Sequence, residues 1–137
     1  MDALSFFSGI CGLELGIPEY VNVKCHCDID KYCKYIINKK FPEKDYHDDI
    51  CTFPKEKYEN INLIIGGFPC QDISNAGKGK GLDGKRSGLV WKLLKIIEYY
   101  KPKYVYLENV SNLRNKGLDK VVIRLDELGY DTRWCII

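Results

Sequence analysis

The most reactive group in this sequence sits in the stretch Gly66-Gly67-Phe68-Pro69-Cys70-Gln71. An apolar run, Leu63-Ile64-Ile65, leads into two glycines and then into a cysteine held between proline and glutamine. A thiol presented after a stiff, tight turn at the carboxyl end of a buried strand is how open α/β folds offer a nucleophile to a bound ligand, and Cys70 is read as that nucleophile. Three acids stand in comparable places. Asp28, Asp49 and Glu108 each follow an apolar segment. An acid after a second strand is placed to bind ribose hydroxyls, and one after a third can meet a base amino group. A solvated loop acid or a helix N-cap explains any one of them alone, but explains their recurrence at several strand ends poorly.

Other motifs are weaker or fail. Phe7-Ser8-Gly9-Ile10-Cys11-Gly12 is a glycine turn between a strand and a helix, as a nucleotide site requires, without the full G-x-G-x-x-G spacing. Gly79 to Arg86 nearly spells a phosphate-binding G-x-x-x-x-G-K loop. It has Arg86 where the magnesium-binding Ser or Thr belongs and no strand directly before it, so ATPase chemistry is excluded. With Lys78, Lys80, Lys85 and Arg86 among its glycines, this segment reads instead as a loop that closes over a polyanion. Pro69-Cys70 lacks the second cysteine and the preceding H-x-E of a zinc nucleobase deaminase. Cys25-His26-Cys27 has the wrong spacing for a zinc C-x₂₋₄-C pair. Both cysteines would share one strand face, so they are read as core and no metal is expected.

These residues need elements to hold them. Strands are predicted near Ala3-Leu4-Ser5-Phe6-Phe7, over residues 21–27 at period two, near Tyr46-His47, over 61–65 and over 104–107. A short helix is predicted near Leu13-Glu14-Leu15. A longer one runs over 31–40 with Tyr32, Tyr35, Ile36 and Lys39 on its inner face. Leu89, Val90, Leu93, Leu94, Ile97 and Tyr100 mark a third, and Leu118, Val121, Val122, Leu125 and Leu128 a fourth that Gly129 closes. Residues 132–137 are predicted to begin a sixth strand, so the chain reads as incomplete at that end. Strand–helix alternation at this spacing implies an α/β fold with a doubly wound, mainly parallel sheet in one domain over residues 1–137.

Composition agrees with a soluble globular domain: 137 residues, 45% hydrophobic and 29% charged. Neither a membrane span nor a secretory leader is expected, and seven cysteines without framework spacing fit a reducing, intracellular setting. A net charge of only +2 means that contact with nucleic acid must come from local clusters.

Taken together, Phe7-Ser8-Gly9-Ile10-Cys11-Gly12, Gly67-Phe68-Pro69-Cys70-Gln71 and Glu108-Asn109-Val110 resemble, in order and spacing, the motifs of the cytosine-C5 DNA methyltransferases. Gly77-Lys78-x-Lys80-Gly81 with Arg86 beyond is similar to their active-site loop. The resemblance covers the whole chain and corresponds to the first part of that family's catalytic domain. It implies a Rossmann-like S-adenosylmethionine-dependent fold, truncated before the C-terminal strands, acting on DNA. It assigns the thiolate that adds to cytosine C6 to Cys70 and the acid that meets the base's Watson–Crick edge to Glu108. The target base would be flipped out of the duplex. Phe7, Gly9 and Gly12 would line the cofactor pocket, Asp28 would hold the ribose, and Asp49 with Ile50 would meet the adenine. Pro69 and Leu89 would approach the cofactor through the backbone. Gln71, Ser74, Lys78 and Arg86 would belong to the DNA-closing loop, and Asn109 would position the loop carrying Cys70.

Departures from the pattern matter as much. Cys11 replaces a usual glycine, adding a side chain where the chain turns. Ile29, counted with the cofactor site, stands where an aromatic often stacks on the adenine. The family's Gln-Arg-Arg motif, target recognition region and C-terminal segment do not occur in the sequence. A complementing second polypeptide or a C-terminal remainder is expected to supply them. The alternative is an inactive product that retains weak cofactor or DNA binding.

Overall fold

The computed structural model describes residues 1–69 and 88–137. Its sheet comprises β1 (Asp2–Phe6), β2 (Asn22–Cys27), β3 (Asp45–His47), β4 (Leu63–Gly67) and β5 (Tyr104–Glu108), in the order β3-β2-β1-β4-β5. Every pairing is parallel. The chain starts at the centre, winds outward through β2 and β3, returns, and winds outward the other way through β4 and β5. This is the doubly wound, Rossmann-like order, and it opens all the strands' carboxyl ends on one edge.

The helices are α1 (Lys31–Lys40), α2 (Gly88–Tyr100), α3 (Leu113–Lys116) and α4 (Leu118–Glu127). Asp30 starts α1, its carboxylate accepting the Tyr32 and Cys33 amides at 2.7 and 3.1 Å. Lys39 and Lys40 in the last turn suit the helix dipole. α2 buries Val90, Leu93, Leu94 and Ile97, one stripe at helical spacing. Gly129 ends α4 in the left-handed region at φ +89°, where a side chain would be strained.

The sheet's two faces are packed unequally. Leu4, Phe6, Cys25, Cys27 and Ile64 face a large core shared with α2, α4 and Phe53. Ala3, Leu63 and Ile65 face a smaller one that Leu13, Ile17, Val21 and Val23 cover. A bulge at Lys24 sets this partition. Ala3 pairs with Val23 but Leu4 with Cys25, so β2 changes phase between them. Cys25 and Cys27 share the large core as expected, but Val21 and Val23, which unbroken period-two alternation would put with them, face the small one, while His26 lies opposite Ser5.

Three expectations need correction. The inner face of α1 is not formed by Tyr32, Tyr35, Ile36 and Lys39. Those four are exposed, and Ile37 is the buried residue, with Cys33 half-buried one turn before it. The Asp30 cap fixes where the helix starts and hence which stripe turns inward. Residues 131–137 form no strand. The far side of β5 offers no register partner among the described residues, and a strand without a ladder leaves its backbone groups unpaired. The segment near Leu13 is a single 3₁₀ turn, Glu14–Gly16, too short for a helix. No helix among the described residues is long and apolar enough to cross a membrane.

Candidate active site

The cofactor-side residues gather at the carboxyl ends of β1, β2 and β3. After β1 the backbone passes through the left-handed region at Phe7, Gly9 and Cys11 (φ +55°, +53° and +67°), which folds the turn back over the sheet. The Cys11 amide donates to the Ser8 carbonyl at 2.8 Å, and the Ser8 amide to the Cys27 carbonyl at 3.3 Å. Asp28 holds the turn from below. One of its oxygens accepts the Gly9 amide at 2.8 Å and the other the Asp30 amide at 2.9 Å. A carboxylate has about four acceptor positions, so two remain for hydroxyls of a ligand. Space is open where such a ligand would lie, since a Cβ added at Gly9 or Gly12 would meet no atom within 4 Å. Ile29 beside Asp28 is 79% exposed. These donors, acceptors and free volume fit an adenosine-bearing cofactor.

Asp49 lies two residues past β3, its carboxylate accepting the Cys51 amide at 2.8 Å. Ile50 has its side chain in the large core, so it can address a ligand only through its backbone. Leu89, in the first turn of α2, and Pro69 are half-buried.

The second group forms where β4 and β5 end. Glu108 is the last residue of β5 and pairs in register with Gly67. A Cβ at Gly67 would lie 3.3 Å from Glu108 Oε2, so the glycine leaves room for that carboxyl. Asn109 donates from its side chain to the Phe68 carbonyl at 2.8 Å, and its side-chain oxygen accepts the Val110 amide at 2.9 Å. That bond ties the turn after β5 to the backbone two residues before Cys70. Cys70, Gln71, Ser74, Lys78 and Arg86 lie outside the described residues.

One cluster escaped the sequence reading. Cys11, Glu14 and His26 meet under the glycine turn, from three separate elements. His26 Nδ1 lies 3.6 Å from Cys11 Sγ and 3.5 Å from Glu14 Oε1. Burial, reinforced by the Glu14 charge, pushes the Cys11 thiol up to about 12. Burial would also raise the Glu14 carboxyl, but hydrogen bonds from His26 and Ser5 outweigh it and hold that carboxyl below the ordinary range. No local spacing signals this trio. The only hint was Cys11 itself, a side chain at a position where a glycine is usual.

Comparison with known proteins agrees with the geometry. The model of the C-5 cytosine-specific DNA methylase family matches residues 1–137. Type II methyltransferase M2.BsuMI of Bacillus subtilis is 37% identical over 139 residues, covering 95% of this chain and 35% of that protein. Type II methyltransferase M.CviJI of Paramecium bursaria Chlorella virus IL3A is 35% identical, covering 96% of this chain and 36% of its own length. This chain thus spans about a third of the length of these relatives. Among solved structures, S. pombe Dnmt2 methyltransferase superposes with a TM-score of 0.68 at 22% identity, over 93% of this chain and 41% of that one. A putative DNA modification methyltransferase encoded within an E. coli prophage gives 0.73 at 21%, over 93% and 37%. Those two likenesses concern the fold, which is that of S-adenosylmethionine-dependent methyltransferases. The match along the entire sequence carries the assignment further: this chain belongs to the C-5 cytosine-specific DNA methylase family.

Proposed function

We propose that this chain is the cofactor- and base-engaging part, over residues 1–137, of a DNA (cytosine-5-)-methyltransferase working on cellular DNA in the manner of a restriction-modification enzyme. The observation that carries the reading is the tie between two strand ends. Glu108 stands in register with Gly67, and Asn109 is bonded to the Phe68 carbonyl, so the acid is held beside the backbone that leads to Cys70.

Cytosine C5 is a poor nucleophile until a thiolate adds at C6. In the proposed reaction Cys70 forms that bond while Glu108 donates a proton at N3, so the ring becomes an enamine without accumulating charge. S-adenosylmethionine, when bound, would supply an electrophilic methyl group to C5, its sulfonium sulfur leaving as a neutral thioether. Loss of the C5 proton to solvent, return of the N3 proton to Glu108 and departure of the Cys70 thiolate would then restore the ring. Asp28 holds ribose hydroxyls with its two remaining acceptor positions, and Gly9, Gly12, Phe7, Ile29, Asp49, Ile50, Pro69 and Leu89 surround the rest of the cofactor. Asn109 positions the loop of Cys70. Gln71, Ser74, Lys78 and Arg86 close on the DNA backbone around a flipped base.

Because the chain spans about a third of its relatives' length, the active assembly includes a further segment, in the same polypeptide or a second one, that recognises the target. The test is covalent trapping on DNA containing 5-fluorocytosine, with the completed assembly and with its Cys70→Ser form. Trapping by the first alone is expected. Equal trapping by the Cys70→Ser protein removes the nucleophile assignment.

A further inference from the structure

We propose that Cys11, Glu14 and His26 bind a single zinc ion beneath the glycine turn that follows β1. One ligand atom from each, a sulfur, a carboxylate oxygen and a ring nitrogen, lies within 4.8 Å of the other two. Tetrahedral zinc with bonds of ordinary length sets its ligand atoms roughly 3.3–3.8 Å apart. The Cys11–His26 and His26–Glu14 separations, 3.6 and 3.5 Å, already meet that requirement. A thiolate, an imidazole and a carboxylate form a borderline donor set that suits zinc and disfavours magnesium or calcium.

Two independent observations point to a cation here. Glu14 Oε2, the carboxylate oxygen that Ser5 does not bond, is buried with no hydrogen-bond partner among the described residues, in a side chain only 7% exposed. An unpaired oxygen of a buried carboxylate is costly, and a bound cation removes the cost. Cys11 is fully buried at φ +67°, in the region where glycine is at ease and other residues are disfavoured. A position with a backbone reason to be glycine therefore carries a thiol, and that thiol faces His26.

The surroundings fit a metal ligand shell. Ser5 Oγ bonds Glu14 Oε1 and lies 2.9 Å from Ser8 Oγ, which orients the carboxylate. Phe41 stacks on the His26 ring with centroids 5.5 Å apart. A cavity of about 300 Å³ lined by Glu14, His26, Phe41 and Lys44 reaches two of the ligands, giving an entry path and room for a water as fourth ligand. Binding replaces the Cys11 thiol proton, which passes to solvent, and ties the turn to β2 and to the 3₁₀ turn at Glu14. Cys25 and Cys27 take no part, since both enter the large core on the opposite face.

The test uses the full 137-residue chain, stripped with a chelator and titrated with cobalt(II) as a spectroscopic substitute. Expected are one equivalent per chain, a thiolate-to-cobalt charge-transfer band in the near ultraviolet, displacement by zinc, and a rise in thermal midpoint with zinc. Cys11→Gly suits the left-handed backbone and should keep the circular dichroism spectrum. It should lose the band and the zinc-dependent thermal shift, with zinc affinity falling more than about 100-fold. His26→Asn provides a second arm, with a comparable drop in affinity. Absence of the band in the wild-type chain overturns the proposal. So does an unchanged band in Cys11→Gly, which would place the metal on other thiols, or unchanged zinc affinity in His26→Asn.

Discussion

The two ends of the sheet edge are built to different degrees. Around β1, β2 and β3, strand-end carboxylates already hold backbone amides. Asp28 accepts from Gly9 and Asp30, Asp30 from Tyr32 and Cys33, and Asp49 from Cys51. At β5, Glu108 is exposed, and Tyr104 and Tyr106 turn toward solvent with 50% and 46% of their surface free. The half proposed to hold the cofactor is therefore organised by contacts within these residues. Among the described residues, the half proposed to hold the base is fixed mainly by the Glu108–Gly67 pairing and the Asn109–Phe68 bond. On the proposed assignment, binding and reaction would draw on separable parts of one sheet edge.

Mutations can break or sharpen that contrast. Glu108→Gln should cost the completed enzyme about 10²–10⁴-fold in methyl transfer, as loss of a general acid does, while leaving cofactor affinity of the isolated chain unchanged. A matching fall in cofactor affinity, read by calorimetry, would show that the two halves are coupled. Asp28→Ala removes both the Gly9 and Asp30 bonds as well as the proposed ribose contact. Cofactor binding by this chain alone should weaken by about 10–100-fold, from charge-assisted hydrogen bonds worth about 1.5–3 kcal/mol. If affinity held, Asp28 would be only a clamp on the turn.

Asn109→Ala unpairs the Phe68 carbonyl and should lower stability by about 1–2 kcal/mol in a urea titration. Its effect on turnover should exceed its effect on cofactor binding, because the bond acts on the Cys70 loop. The smallest effect concerns pH at the β3 edge. Hydrogen bonding from Lys57 at 2.9 Å, then from Tyr58, holds the Asp45 carboxyl below its ordinary 3.8. Its stabilising contribution is complete above that ordinary value and fades as pH falls through it toward the lowered one. Asp45→Asn should lower stability slightly in the neutral range and flatten this acid limb, the effect staying small because the pair is largely exposed.

Much of the fold is legible in the residues, and the exceptions share a cause. Parallel order, the bounds of α1 and α2 and the acids at strand ends follow from alternation, caps and breakers, which are local. The buried face of α1 does not. Tyr32, Tyr35 and Ile36 are the apolar choices by type, but the Asp30 cap and the helix's seat on the sheet turn Ile37 inward. Residues 132–137 have strand composition and no strand to pair with among the described residues. The Cys11–Glu14–His26 cluster joins a turn, a 3₁₀ turn and a strand, so no single window contains it. Asn109 shows the opposite case, a residue whose role the family resemblance suggests and whose bond to Phe68 supplies a physical basis.

The bulge at Lys24 has a further consequence, for how this strand tolerates changes of length. On either side of it β2 runs in opposite phase, with Val23 facing the small core and Cys25 the large one. Substitutions inside β2 act one position at a time. A single-codon deletion at Lys24 removes the unpaired extra residue and leaves Val23 next to Cys25 with faces and alignment kept. A deletion at a paired position of β2 instead turns over or realigns the residues beyond it. Sequence drift through this segment is therefore expected to proceed by replacement, with insertions and deletions confined to the turns on either side and to Lys24 itself.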